Sequence, residues 1–298
     1  MSRFTADLAL LFAALIWGVA FLFQKSAMDA VGPLTFIAAR CGLATVVLVP
    51  FALAETRRRR PRADAGFWHI GLLSGAAFFV AAWLQQAGIV TATVTNTGFL
   101  TALYVVITPL IAWASAGRRP SAIIWPAVAL SAAGTWLLGG GTLSAFSGGD
   151  GLVALSAVFW AAHVVIVGQA ARHARPIAFT TLQFAVVAAL AAIGAAGLEA
   201  PSVAGLLAAG TSILYVGVLS SALTFTLLTF ALQHTPPSEA AVIVSLETVF
   251  AAVAAYLVLG ERLAPIAWIG ALMIMAGTLV IQLGGARKPQ GLARREKA

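Results

Sequence analysis

The chain has 298 residues, of which 61% are hydrophobic and only 9% charged, with a mean hydropathy of +0.97. A soluble domain carries about a quarter of its residues as charges, and here the deficit runs the whole length, which excludes a sizeable water-facing domain. The formal charge of +8 comes from short cationic clusters between apolar runs, the pattern of topology determinants rather than of a nucleic-acid surface, and a single cysteine, Cys41, excludes an intrachain disulfide.

Apolar runs of about twenty residues cross a ~30 Å hydrocarbon core at 1.5 Å per residue. In chain order they fall at 8–28, 33–54, 67–90, 95–116, 121–141, 151–171, 177–197, 207–232, 238–259 and 264–284. The first is read as a membrane helix and not as a signal peptide. Its apolar core is too long, and Lys25 falls where a small-residue cleavage site is wanted. If the N-terminus is cytoplasmic, fifteen cations lie inside and Arg262 alone lies outside, with Lys25 and Arg40 in or near the membrane. The positive-inside rule then puts both termini in the cytoplasm.

The chain repeats itself at a shift of 143. Asp7 falls on Asp150, Trp17 on Trp160, Pro33 on Pro176, Phe36 on Phe179, Gly117 on Gly260, Trp125 on Trp268 and Gly134 on Gly277. Two Trp-on-Trp matches occur where roughly a tenth of one is expected by chance, so the sequence is read as a duplication. Five helices per copy is an odd number, so the second copy runs upside down. The predicted architecture is an all-α membrane protein of ten transmembrane helices in two inverted five-helix repeats. These are residues 1–141 and 150–284, followed by a basic cytoplasmic tail at 285–298. Inverted repeats are a recurring plan of secondary transporters, with the substrate site near the midplane between the halves.

Glu247 is the sharpest local signal, a carboxylate near the middle of the ninth run with Tyr104 at the matching position of the fourth. Such a group costs about 2.5–3.5 kcal/mol at a helix centre and so needs a partner, a proton or water. It either lines a cavity, where it meets an ammonium group or takes a proton, or it is the buried structural partner of Arg40 or Lys25. Lys25 either snorkels and pairs with Asp29 or faces the cavity with Trp17 and Phe21, which recur on its helix face. Arg40, seven residues into the second run, suits an ion pair or a carbonyl contact better than substrate. Trp17 and Trp160 lie too deep for an interfacial belt and either flank a ligand or pack. His163 is a packing residue unless the cavity is wet. Tyr104, Phe79 and Trp83 offer aromatic surface on the third and fourth helices. Pro109 is expected to interrupt and kink the fourth. Gly270, Gly277 and Gly284 form a smooth face for close helix packing or a dimer contact. No Cys/His metal cluster, nucleophile motif or phosphate loop occurs, so no cofactor, metal or nucleotide is expected, and transport would run on a gradient or by exchange.

At Ile16-Trp17-Gly18 with Lys25 downstream, Phe36 with Arg40, Gly98-Phe99-Leu100, Gly117-Arg118-Arg119-Pro120-Ser121, Ser245-Leu246-Glu247 and Leu259-Gly260-Glu261-Arg262, the chain resembles the drug/metabolite transporter superfamily, EamA type. Within it the chain is similar to bacterial amino-acid exporters of the YddG type. Thr248 stands where that family often has a proline after the glutamate. The resemblance implies a multi-pass protein of the bacterial inner membrane whose central cavity is lined by the first, third and fourth helices and by their copies. It implies export of aromatic or other amino acids by alternating access, with cationic drugs a further class it allows. Expected partners are the small-molecule substrate and membrane lipid, with a second copy of the chain as an option and no nucleic acid. A carrier of a nucleoside or sugar conjugate is the nearest rival. An intramembrane enzyme or a channel is the rival from another class, although no paired nucleophile and base is present.

Overall fold

The computed structural model describes residues 2–58, 64–117, 120–138, 147–173, 175–262 and 264–286. Several sequence features lie outside these residues, namely Arg59, Arg60, Arg62, Arg118, Arg119 and nearly all of the basic tail, from residue 287 onward. Every regular element among the described residues is helical. Eight segments are long and apolar enough to cross a membrane: Arg3–Ala27, Pro33–Arg58, Ala65–Ile89, Val94–Ser115, Gly148–Ala170, Pro176–Leu198, Gly210–Ala231 and Pro237–Leu259. Two shorter apolar helices, Ile124–Leu138 and Pro265–Ile281, accompany them.

Helix starts follow local chemistry. Helix α1 (Arg3–Ala27) begins at Ser2, whose hydroxyl accepts from Thr5 N, and α3 (Ala65–Ile89) begins at Asp64, whose carboxylate accepts from Phe67 N at 2.8 Å. Helices α2 (Pro33–Arg58) and α8 (Pro176–Leu198) open on proline, whose missing N–H is no loss in a first turn.

The fourth span is broken. Helix α4 (Val94–Thr101) ends and α5 (Tyr104–Ala116) begins across Ala102-Leu103, where Val105 N bonds Ala102 O at 3.0 Å in place of the usual four-residue link. The same break recurs 143 residues later. After α6 (Ile124–Leu138), α7 (Gly148–Ala170) and α8, the span of α12 (Pro237–Val244) and α13 (Glu247–Leu259) parts at Ser245-Leu246, where Thr248 N bonds Ser245 O at 3.1 Å. Both second segments end on a glycine in the left-handed region, Gly117 at φ 64° and Gly260 at φ 67°. Pro109 does not cause the interruption. Helix α5 continues through it, the break lies upstream, and the matching break has Ala252 at the equivalent place.

The span between α8 and α12 is built of α9 (Val203–Ala208), α10 (Gly210–Leu214), a π-helical stretch at Tyr215–Leu223 and α11 (Thr224–Ala231). The closest pairings are α2 with α8, α3 with α7, and α6 with α14 (Pro265–Ala286). In the last pair, a Cβ on Gly270 would sit 2.4 Å from Gly134 O, and one on Gly134 would sit 2.6 Å from Gly270 O. Gly277 lies equally close to Ser131 and Ala127. Gly270 and Gly277 thus serve packing inside the chain, which only residues without a side chain permit, while the surroundings of Gly284 lie outside the described residues.

Candidate functional site

A cavity partly open to the outside lies where α1, α2, α3, α7, the π-helical span and the broken fourth and ninth spans meet. Trp17, Arg40, Tyr104, Trp160, His163 and Glu247 all line it, so six of the residues singled out from the sequence converge on one space. Gln24, Gln85, Thr101, Ser220 and Phe225 complete its polar and aromatic wall.

The breaks set the chemistry. Each places the first residue of the second helical segment at the cavity, Tyr104 at the head of α5 and Glu247 at the head of α13. The breaks also bond N–H groups that a helix start would leave free, those of Val105 and Val106 at one site and of Thr248 and Phe250 at the other. The phenol of Tyr104 lies beside the Glu247 carboxyl. Glu247 is only 5% exposed yet forms no ion pair with Arg40 or Lys25. Helix α1 presses on this point. A Cβ on Gly18 would stand 2.7 Å from Glu247 O and 2.5 Å from Phe250 Cβ.

Aromatic rings cross the middle of the molecule in a four-membered ladder. Trp17 lies 4.8 Å from Phe225, Phe225 stacks on Phe78 at 4.8 Å and 21°, and Phe78 lies 5.0 Å from Trp160. One tryptophan from each copy thus joins the cluster, Trp160 also meeting Phe225 at 6.1 Å and His163 at 5.9 Å. Trp17 Nε1 donates to Ser220 O at 2.8 Å, a carbonyl in the π-helical stretch, and Thr224 Oγ1 bonds that same carbonyl. Trp160 Nε1 is buried without a partner.

His163 is fully buried. Its Nε2 lies 2.9 Å from Gln183 Oε1, which also accepts from Ser74 Oγ at 3.0 Å, while its Nδ1 has no partner. With the amide so oriented, Nε2 carries the proton and Nδ1 offers a lone pair. Arg40 is 3% exposed. Its guanidinium reaches Ser221 Oγ at 3.3 Å and sits 5.9 Å from the rings of Phe36 and Phe78. Unpartnered polar atoms of Arg40, Tyr104, Trp160 and His163 thus surround one cavity. Buried polar atoms are normally paired in folded proteins, so such a concentration suits a site that a polar ligand completes.

The remaining candidates lie elsewhere. Phe79 and Trp83 stack on each other at 6.1 Å away from the cavity, Phe79 half-buried against the core and Trp83 39% exposed, while Phe78 and Gln85 face inward. Lys25 closes the far end of α1 by donating to Ile89 O, Val90 O and Ala92 O at 2.8–3.0 Å. Pro109 is buried inside α5 and is not part of the cavity wall. Phe225, Gln24, Gln85 and the supporting Gln183 were not picked out from the sequence. The amides had a usable signal, since side-chain amides in membrane-length runs seek partners across helices. Phe225 had none, being one apolar residue among many. Among the described residues no group of His, Cys, Asp or Glu could hold a metal ion.

The chain is 30% identical over 292 residues to an uncharacterized transporter of Archaeoglobus fulgidus, covering 95% of this chain and 87% of that one. It is 27% identical over 284 residues to the uncharacterized transporter YwfM of Bacillus subtilis, covering 92% and 93%. A protein of known crystal structure superposes with a TM-score of 0.77 at 20% identity, over 96% of this chain and 99% of that one, a likeness of fold alone. The EamA-like transporter family matches twice, at residues 4–140 and 147–283, two stretches again offset by 143. With a duplicated helical chain, a buried polar cavity between broken spans and this double match, the protein belongs to the EamA-like transporter family and is a multi-pass membrane transporter.

Proposed function

We propose that the protein is a secondary transporter that exports amino acids across the bacterial inner membrane by alternating access between two inverted five-helix halves, residues 1–141 and 150–284. The observation that carries this reading is Glu247, a buried carboxylate with no ion partner, placed at a helix break on an aromatic cavity. An ammonium group in that cavity would gain a charge-assisted hydrogen bond, and the rings would take an apolar side chain. Support for the halves comes from breaks, left-handed glycines and family matches that all repeat at one shift. Five spanning rods per copy imply opposite orientations, the plan in which substrate sits between repeats.

The test is counterflow in proteoliposomes with a panel of labelled amino acids, with and without a proton gradient. A saturable flux stimulated by unlabelled amino acid on the far side is the expected result. Flux that rises linearly with concentration, or no amino-acid flux beside transport of a nucleoside or sugar conjugate, would discard the reading.

A further inference from the structure

We propose that Arg40 is the carboxylate-binding pole of the cavity, and that with Glu247 it makes the site selective for zwitterions over amines that lack a carboxylate. The inference rests on the amino-acid reading above and names the group that reads the acid end of the substrate.

Arg40 carries five N–H donors and is 3% exposed, yet its one hydrogen bond goes to a neutral hydroxyl, Ser221 Oγ, at 3.3 Å. Among the described residues its Nε has no partner and no carboxylate pairs with it. The rings of Phe36 and Phe78 flank the cation at 5.9 Å each and hold the guanidinium in place without neutralising it. A buried guanidinium normally pairs with an anion, because an unpaired charge in low dielectric is costly. Among the described residues Glu247 is the only Asp or Glu on the cavity wall, and the two do not pair.

The second copy supplies a control for a purely architectural role. The position 143 residues beyond Arg40 is Gln183, which is also fully buried and bonded to a serine of a neighbouring helix, Ser74. Neutral amide chemistry therefore suffices to build that corner of the bundle. The charge on Arg40 is surplus to packing, and it borders the same cavity as an unpaired acid. A zwitterion satisfies both groups at once, while an amine leaves Arg40 unpaired beside a second positive charge. The amine is then rejected by a missing partner as well as by repulsion.

Three probes that share a phenyl ring separate the poles: phenylalanine, phenethylamine without the carboxylate, and 3-phenylpropionate without the ammonium. In proteoliposomes the wild type is expected to exchange phenylalanine at least about tenfold faster than either analogue. Arg40→Gln, which copies the residue of the other repeat, is expected to lose that preference over phenethylamine to within about threefold, and Arg40→Lys to keep part of it. In detergent, phenylalanine should raise the melting temperature of the wild type more than phenethylamine does, a reading that needs no variant to fold. An unchanged phenylalanine-to-phenethylamine ratio in Arg40→Gln overturns the assignment, as does equal stabilisation of the wild type by both probes. A wild type that moves none of the three, and no other amino acid, instead overturns the amino-acid reading on which the assignment rests.

Discussion

The two copies share their carpentry and differ in their charges. Both break their fourth rod at the same register, both end it on a left-handed glycine, and both bury a phenylalanine at the equivalent place, Phe36 and Phe179. At the cavity they diverge. Tyr104 answers Glu247, Arg40 answers Gln183, and Ala20 answers His163. The first copy thus contributes the base and the second the acid. The stretch matching the π-helical Tyr215–Leu223 is Leu72–Val80, an unbroken part of α3. Duplication supplied a symmetric frame, and substitution at a few inward positions gave that frame two unlike poles. Under the amino-acid reading proposed above, that difference is what would let the cavity tell ammonium from carboxylate.

The sharpest way to break this comparison is to remove the acid and its counterpart in parallel. Glu247→Gln is expected to lower amino-acid exchange more than about tenfold, whereas Tyr104→Phe lowers it only about two- to threefold, since one loses a charge-assisted bond and the other a neutral one. Equal losses in the two variants would mean that the copies contribute alike. Next in size is the contact of α1 with α13. Gly18→Leu should cost about 2–3 kcal/mol of stability, because its Cβ would meet Glu247 O and Ala251 N within 2.8 Å. The matched position already holds Ala161, buried without clash, and Ala161→Gly should cost only about 1 kcal/mol. Thermal unfolding in detergent would reveal both, and a harmless Gly18→Leu would show that the helices are freer to part than the packing implies. The smallest effect is expected at Lys25. Lys25→Met should lose about 1 kcal/mol with no change in the ratio of phenylalanine to phenethylamine flux. A changed ratio would put Lys25 at the cavity after all.

Sequence alone made the membrane character, the repeat and the deep polar residues legible, because each rests on composition or spacing. Trp17, Trp160, Glu247 and Arg40 are out of place in apolar runs and announce themselves. The helix breaks did not. Neither Ala102-Leu103 nor Ser245-Leu246 contains a glycine or proline, and the proline that is present lies downstream inside an intact helix. Phe79 and Trp83 were indistinguishable from Phe78 and Phe225 by type. In a bundle apolar on all sides, periodicity no longer says which face looks inward. As partners for Glu247, Lys25 and Arg40 were both in reach of a linear reading, and neither forms an ion pair with it. Three dimensions place Lys25 at the rim and Arg40 on the wall.

The lashing of Lys25 also has a consequence for motion. Its ammonium holds three carbonyls at the junction of α3 and α4, while the equivalent end of α7 has Gly168, where an added Cβ would lie 2.5 Å from Pro237 Cγ. Parting the lashed rim strips a cation of its oxygens, which is tolerable only as water arrives to replace them. Around Gly168 the other end of α1 is held by charge as well, with Arg3 bonding Glu239 and Thr235 Oγ1 donating to Asp7 Oδ1 at 2.9 Å. Parting the helices at either end of α1 therefore strips a charge of its partners and calls for water in their place.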